Sequence, residues 1–235
     1  SSRAAEICEY YGLPFINLKF PIDERPSLEQ IEQILKENQD IALVYITHNE
    51  TGTGILNPIR EIGALAHAYG AIFVVDTTST YAMRPINIKN DNIDFCMASA
   101  QKGLMAMTGI SFVVGKRTII EQSKTYPKRS YYCNLYMQYH YFEAHGEMHF
   151  TPPVQTVYAM RQAIKEYFAE GEQKKWERHT RVFEALHKGI ERLGFQNIIK
   201  RDWQAGLVVT VKYPDDPNWS FSAIHDYCYK RGFTI

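Results

Sequence analysis

Residues 71–109 read AIFVVDTTSTYAMRPINIKNDNIDFCMASAQKGLMAMTG, and the architecture of the chain turns on them. Two runs within this stretch, 71–75 and 95–98, are almost wholly apolar or β-favouring, the pattern of short parallel strands covered on both faces. Asp76 closes the first run and Lys102 follows the second. In open α/β sheets ligands collect beyond the carboxyl ends of the strands, so these two charges are expected at one crevice. The fold class expected from this pattern is α/β, with a mixed, mostly parallel sheet flanked by helices.

The pair suits a particular chemistry. A lysine amine with a lowered pKa forms a Schiff base with an aldehyde. An aspartate opposite a pyridine nitrogen holds that nitrogen protonated, so the two residues together describe the protein's half of a pyridoxal phosphate site. Taken singly, an aspartate after a strand is ordinarily a turn or helix cap, and a lysine is ordinarily a solvated side chain. Only the combination carries the argument.

Composition permits this reading. The 235 residues are 45% hydrophobic, enough for a sizeable core, and the 26 basic and 26 acidic residues balance without forming long blocks. No electrostatic footprint argues for nucleic acid or an anionic membrane, so small molecules are the expected partners. Cys8, Cys96, Cys133 and Cys228 are widely separated and form no CxxC pair, which fits isolated thiols in a reducing compartment better than a disulfide framework or zinc site. No apolar run reaches the length of a membrane span and the first residues lack a signal-peptide pattern. The expectation is a soluble cytoplasmic protein with no bound metal.

The rest of the chain alternates in the manner of a doubly wound layer. An amphipathic helix opens it, with Ala4, Ile7, Cys8 and Tyr11 on one face and Gly12 at its end. PFINLKF (14–20) reads as a strand. Ser27 and Gln30 form a capping-box pattern before a helix with an Ile31, Ile34 and Leu35 stripe. A strand at 41–48 leads to a loop, after which Asn57 and Pro58 start a helix whose core face is Ile59, Ile62, Leu65 and Ala66. His48 and Glu50 in that loop are read as structural and not as proton carriers. MTGISFVVG (107–115) reads as a returning, antiparallel strand. The aromatic stretch 131–150 lacks interleaved Arg and Lys and is therefore read as core or subunit interface.

Helices follow at 154–171 and from 172 to 194. The charged face of the second is read as solvated, with no ligand given to its basic residues. AGLVVTVKYP (205–214) reads as a strand and the last sixteen or so residues as a helix followed by a strand. The soft boundary near Glu172 separates a large domain at 1–171 from a small α+β unit at 172–235.

Four motifs in order, HNETGTGILNP (48–58), VVDTTST (74–80), SAQKGLMAMTG (99–109) and HFTPPV (149–154), resemble the class V aminotransferases of the fold-type I pyridoxal phosphate family. The likeness runs nearly end to end. It implies that Lys102 is the Schiff-base lysine and catalytic proton carrier, and that Asp76 is the pyridine partner. It places Thr78, where family members more often have a small apolar residue, on the ring face. Thr51 would sit near the ring oxygen, with Thr53 the other candidate. Gln101 and Thr151 would contact the phosphate, Thr151 reaching the site of a neighbouring subunit in a homodimer.

The implied reaction moves an amino group from 2-aminoethylphosphonate to the keto acid pyruvate. The alternatives are an alanine:glyoxylate or serine:pyruvate type transaminase, or a non-catalytic fold-type I domain. A cysteine desulfurase would need a loop cysteine, for which Cys133 is the one to check. Compared with the family, the glycine- and serine-rich phosphate cup before the first helix and the arginine that holds the substrate's anionic group fall outside this sequence.

Overall fold

The computed structural model describes residues 2–234. Helix α1 (Ser2–Tyr10) packs no fully buried residue. Helix α2 (Leu28–Glu37) starts where the sequence signals, with the Ser27 hydroxyl accepting the Gln30 N–H at 3.2 Å, and it buries Ile31 and Leu35. Strand β1 (Leu43–Thr47) follows, and then a two-stranded hairpin of β2 (Asn49–Glu50) and β3 (Ile55–Leu56). Helix α3 (Ile59–Ala68) returns the chain to β4 (Ile72–Asp76). Strands β5 (Phe95–Ser99) and β6 (Ser111–Gly115) complete the main sheet.

The sheet order is β1-β4-β5-β6, with β1, β4 and β5 parallel and β6 antiparallel to β5. The expected mixed, mostly parallel sheet is present, including the antiparallel return. Phe73 and Val75 of β4, both fully buried, meet Ile31 and Leu35 of α2 and Ile59, Ile62 and Ala66 of α3 in one core. Helix α3 lies so close that a Cβ on Gly63 would sit 2.8 Å from the Phe73 ring, which explains why a residue without a side chain occupies this helical position. Burial of this kind contributes roughly 1.5–3 kcal/mol per large apolar side chain.

Helix α4 (Arg117–Gln122) and helix α5 (Leu135–His145) carry the chain past the aromatic stretch. Asn134 caps α5 by accepting the Met137 N–H at 3.0 Å. Helices α6 (Val154–Glu170) and α7 (Glu172–Arg192) meet at Gly171, and α8 (Phe221–Tyr229) begins under a Ser220 cap.

Three expectations for extended structure fail. Residues 14–20 form no strand: Phe15, Ile16 and Leu18 are exposed, and the segment pairs with no sheet edge. Alternating apolar residues report a tendency to be covered, whereas a strand also needs an edge to pair with. Residues 205–214 make isolated bridges, Ile55 to Gln204 and Asn197 to Val211 beside them, instead of a continuous ladder. Past α8, Phe233 and Thr234 are not in a strand, and Ile235 lies outside the described residues.

Candidate active site

Parallel pairing puts Thr47, Asp76 and Met97 in one row at the carboxyl end of the sheet. Asp76 is half-buried there. Its Oδ1 accepts the Thr78 N–H at 2.8 Å, its Oδ2 lies 3.4 Å from the Tyr45 hydroxyl, and its carbonyl accepts the His48 N–H at 2.8 Å. Burial, reinforced by the Asp76 charge, pushes the Tyr45 phenol up to about 12, so Tyr45 remains a donor toward the carboxylate. The turn after Asp76 is tied to the neighbouring strand by Thr77, whose N–H and hydroxyl both donate to the Met97 carbonyl at 2.9 Å.

The loop carrying Lys102 is closed by its own backbone. Ala100 N–H donates to Ile110 O at 3.0 Å, Ala106 N–H to Ala100 O at 3.0 Å, and Met105 N–H to Lys102 O at 2.9 Å. Gln101 and Lys102 stand exposed on this loop, between buried Ala100 and buried Gly103. Gly103 presses on the loop after Asp76: a Cβ there would lie 1.9 Å from the Tyr81 carbonyl oxygen. The Asp76 and Lys102 loops are therefore packed against each other at one edge of the sheet, the position in which α/β folds gather ligands.

The other expected site residues are distributed around this edge. Thr78 is half-buried beside Asp76, and Thr51 is exposed in the hairpin turn that follows β1 and β2. Thr53 is turned inward, 6% exposed, with its hydroxyl 3.4 Å from the Ile55 N–H and its carbonyl accepting the Thr210 hydroxyl at 2.9 Å. Thr151 is exposed just ahead of α6, with no hydrogen bond drawing it to Asp76 or Lys102 within the chain. Among the described residues, only Thr78, through its backbone, is directly bonded to another member of the set.

His48 is buried, with its Nδ1 2.9 Å from the Thr80 hydroxyl, and burial together with nearby Arg84 lowers its pKa to about 4. A neutral imidazole held between two loops fits the structural reading. Three residues around the site escaped the sequence reading. Tyr45 was absorbed into an apolar strand. Arg84 spans from the Asp76 loop to α7, its guanidinium 4.3 Å from the Trp176 ring centre and its Nη1 bonded to the Ala205 carbonyl. Lys175 of α7 was expected to be solvated and is instead 4% exposed, donating to the Gly103 carbonyl at 2.5 Å.

Among the described residues no group of three His, Cys, Asp or Glu side chains is arranged to hold a metal, and no helix is long and apolar enough to cross a membrane. Cys133 is exposed in the turn before α5, while Cys96 is buried in β5.

The sequence profile described as aminotransferase class-V matches residues 2–218. The chain belongs to the class-V aminotransferases. Within this family it is 31% identical, over 99% of its length, to the 2-aminoethylphosphonate–pyruvate transaminase of Lysinibacillus sphaericus, of which it covers 63%. It is 33% identical over 90% of its length to the enzyme of the same name from Salmonella typhimurium, covering 58% of that protein. A bifunctional phosphonoacetaldehyde hydrolase/aminoethylphosphonate transaminase of Clostridioides difficile is 31% identical over 99% of the chain, which corresponds to 37% of that longer protein. The chain thus spans less than two thirds of the length of these curated relatives. Among solved structures, the alanine–glyoxylate aminotransferase of Nostoc sp. superposes with a TM-score of 0.87 at 25% identity, covering 98% of this chain and 61% of that one. The aspartate aminotransferase of Thermus thermophilus shares the fold at a TM-score of 0.86 and 20% identity, covering 100% of this chain and 64% of that one.

Proposed function

We propose that this class-V aminotransferase chain carries the pyridoxal phosphate site of a transaminase that moves the amino group of 2-aminoethylphosphonate to pyruvate, giving phosphonoacetaldehyde and alanine. The observation that carries the reading is the delivery of Asp76 and Lys102 to one sheet edge by the adjacent strands β4 and β5, with their loops in contact through Gly103. Bound pyridoxal phosphate supplies the electron sink for labilising a bond at the amine-bearing carbon.

The chemistry of the donor set fits that group: a carboxylate at the end of β4 and a primary amine on the loop packed against it. Asp76 offers a carboxylate whose Oδ1 is already held by the Thr78 N–H, which leaves Oδ2, beside the Tyr45 hydroxyl, to hold a proton on a ring nitrogen. Lys102 Nζ would be the covalent anchor for the cofactor and, when free, the base that would carry a proton from the substrate carbon. Thr78 would pack on the ring face. Of the two hairpin threonines, exposed Thr51 has its hydroxyl available, whereas Thr53 faces the 205–211 segment. Gln101 and Thr151 would contact the phosphate, Thr151 from a second copy of the chain. The exposed aromatic residues Tyr131, Tyr132 and Phe142 support reading the stretch around α5 as the corresponding dimer surface. Residues 1–171 form the cofactor-binding body and 172–235 belong to a smaller unit.

The donor and acceptor rest on relatives that carry 2-aminoethylphosphonate–pyruvate transaminase in their names at 31% and 33% identity. The test is to incubate the protein with pyridoxal phosphate, reduce with borohydride and map the peptides by mass. Wild type is expected to carry the adduct on Lys102, and Lys102→Ala to carry none while keeping its circular dichroism. Scattered labelling of surface lysines in wild type would overturn the cofactor reading. Turnover with alanine and glyoxylate but not with aminoethylphosphonate and pyruvate would overturn the substrate assignment alone.

A further inference from the structure

Lys175 is a charged residue where the core has little use for charge. It is 4% exposed in the first turns of α7, its Nζ donates to the Gly103 carbonyl at 2.5 Å, and it lies 5.3 Å from the centre of the Tyr167 ring. Burial lowers its pKa, with Glu170 opposing and Arg178 adding to that effect. Desolvating an ammonium group is costly, and an unbranched apolar side chain of the same length would fill the space without that cost. What the ammonium adds is a charge-assisted hydrogen bond to one particular peptide group.

That peptide group adjoins Lys102. Glycine is the most flexible residue in a chain, so Gly103 directly after Lys102 would by itself leave the lysine's direction loosely defined. The structure removes this freedom from two sides. The Cα of Gly103 meets the Tyr81 carbonyl of the Asp76 loop, and its carbonyl oxygen is held by Lys175. The next residue of α7, Trp176, stacks on Arg84 at the far end of the same Asp76 loop. The start of α7 therefore grips both loops of the candidate site, although it contributes nothing to the sheet.

We propose that Lys175 is a positioning residue that fixes the Lys102 loop by anchoring the Gly103 carbonyl, so that the Lys102 amine is presented toward Asp76. This rests on the reading of Lys102 as the cofactor lysine. The anchoring, however, is a property of the chain alone and is measurable without cofactor.

The experiment compares wild type, Lys175→Met and Lys175→Arg by amide hydrogen exchange and by borohydride trapping of pyridoxal phosphate. The Met side chain keeps the bulk and removes the donor. Its expected effect is an exchange rate about tenfold faster for the amides of Ala100, Met105 and Ala106, with the β4 amides unchanged, and a comparable loss of trapping at Lys102. The Arg variant, which retains a charged donor, is expected to recover most of both. Should Lys175→Met lose protection throughout the core, Lys175→Gln decides by the same readings. Unchanged exchange in the 99–110 segment would overturn the anchoring, and a loosened segment with normal trapping would overturn the positioning role. A loosened segment in a protein whose wild type never labels at Lys102 would leave the anchor standing and remove the cofactor reading instead.

Discussion

Asp94 and Asp76 stand at opposite ends of the same two strands, and their surroundings differ in kind. Asp94, just before β5, is 3% exposed with both oxygens engaged: Lys116 Nζ lies 2.6 Å and His67 Nε2 2.9 Å from its oxygens, and the Phe73 N–H donates at 2.7 Å. Burial alone would raise its pKa, but these three partners outweigh it and hold the carboxyl below its ordinary value. Asp76, at the end of β4, is half-buried, has one firm backbone donor and one long contact with Tyr45, and has no basic side chain bonded to it. A carboxylate with both oxygens engaged by basic side chains and a backbone donor stitches elements together. One whose second oxygen has only a long contact with a hydroxyl, at an open edge, remains available to a ligand.

The sharpest way to break this contrast is to neutralise each aspartate and ask which property suffers. Asp76→Asn keeps an oxygen for the Thr78 N–H and removes the charge. With the proposed cofactor role it is expected to lower kcat by about 10² to 10³, the scale of losing one preorganised electrostatic partner, while the melting temperature stays within a few degrees. Steady-state rates and a thermal melt of the same preparation decide it. A large loss of stability with normal turnover would make Asp76 a second Asp94.

Asp94→Asn is the mirror experiment. The amide oxygen can still accept the Phe73 N–H, but the pairing with Lys116 and His67 loses its charge. Because Lys116 is half-exposed, the expected destabilisation is at the lower end for a broken buried pair, about 3 kcal/mol in urea unfolding, with trapping of the cofactor on Lys102 retained in the folded fraction. Loss of trapping in protein that is still folded would show that the amino end of the strands controls the site directly.

What the sequence could convey about these two ends follows from how local each interaction is. The carboxyl-end placement of Asp76 and Lys102 was legible because each directly follows or closely trails an apolar run whose strand character is local, and the motif resemblance reinforced it. The Ser27 cap was legible for the same reason. Residues 14–20 had the right composition for a strand and no edge to join, which composition does not reveal. Thr53 looked equivalent to Thr51 because the segment that buries it, around Thr210, is 157 residues away in sequence. Lys175 was read as one of several charges on a solvated helix face. It lies well off the stripe defined by buried Phe183 and His187, and its partner, the Gly103 carbonyl, is 72 residues away in sequence, so helical periodicity carried no signal for its burial.

His48 sharpens the comparison because it sits at the site end of the strands yet resembles Asp94 in being buried and bonded. Its pKa falls from 6.5 to about 4 in the fold, chiefly through burial and then through Arg84. The depressed value means that the folded state favours the neutral ring, while the unfolded chain takes up a proton near the ordinary value. The stabilisation is therefore complete above the unfolded pKa, declines as the pH falls from there, and is gone once the pH has passed through the folded pKa. Between about pH 7.5 and about pH 5 the expected contribution is about 2 kcal/mol. His48→Gln, which cannot titrate but keeps a partner for the Thr80 hydroxyl, should flatten that part of the stability profile. Parallel urea titrations of the two proteins at both pH values give the difference directly. If wild type and variant lost equal stability on acidification, His48 would not be held neutral by its surroundings, and its exclusion from the proton chemistry of the neighbouring site would have to be reconsidered.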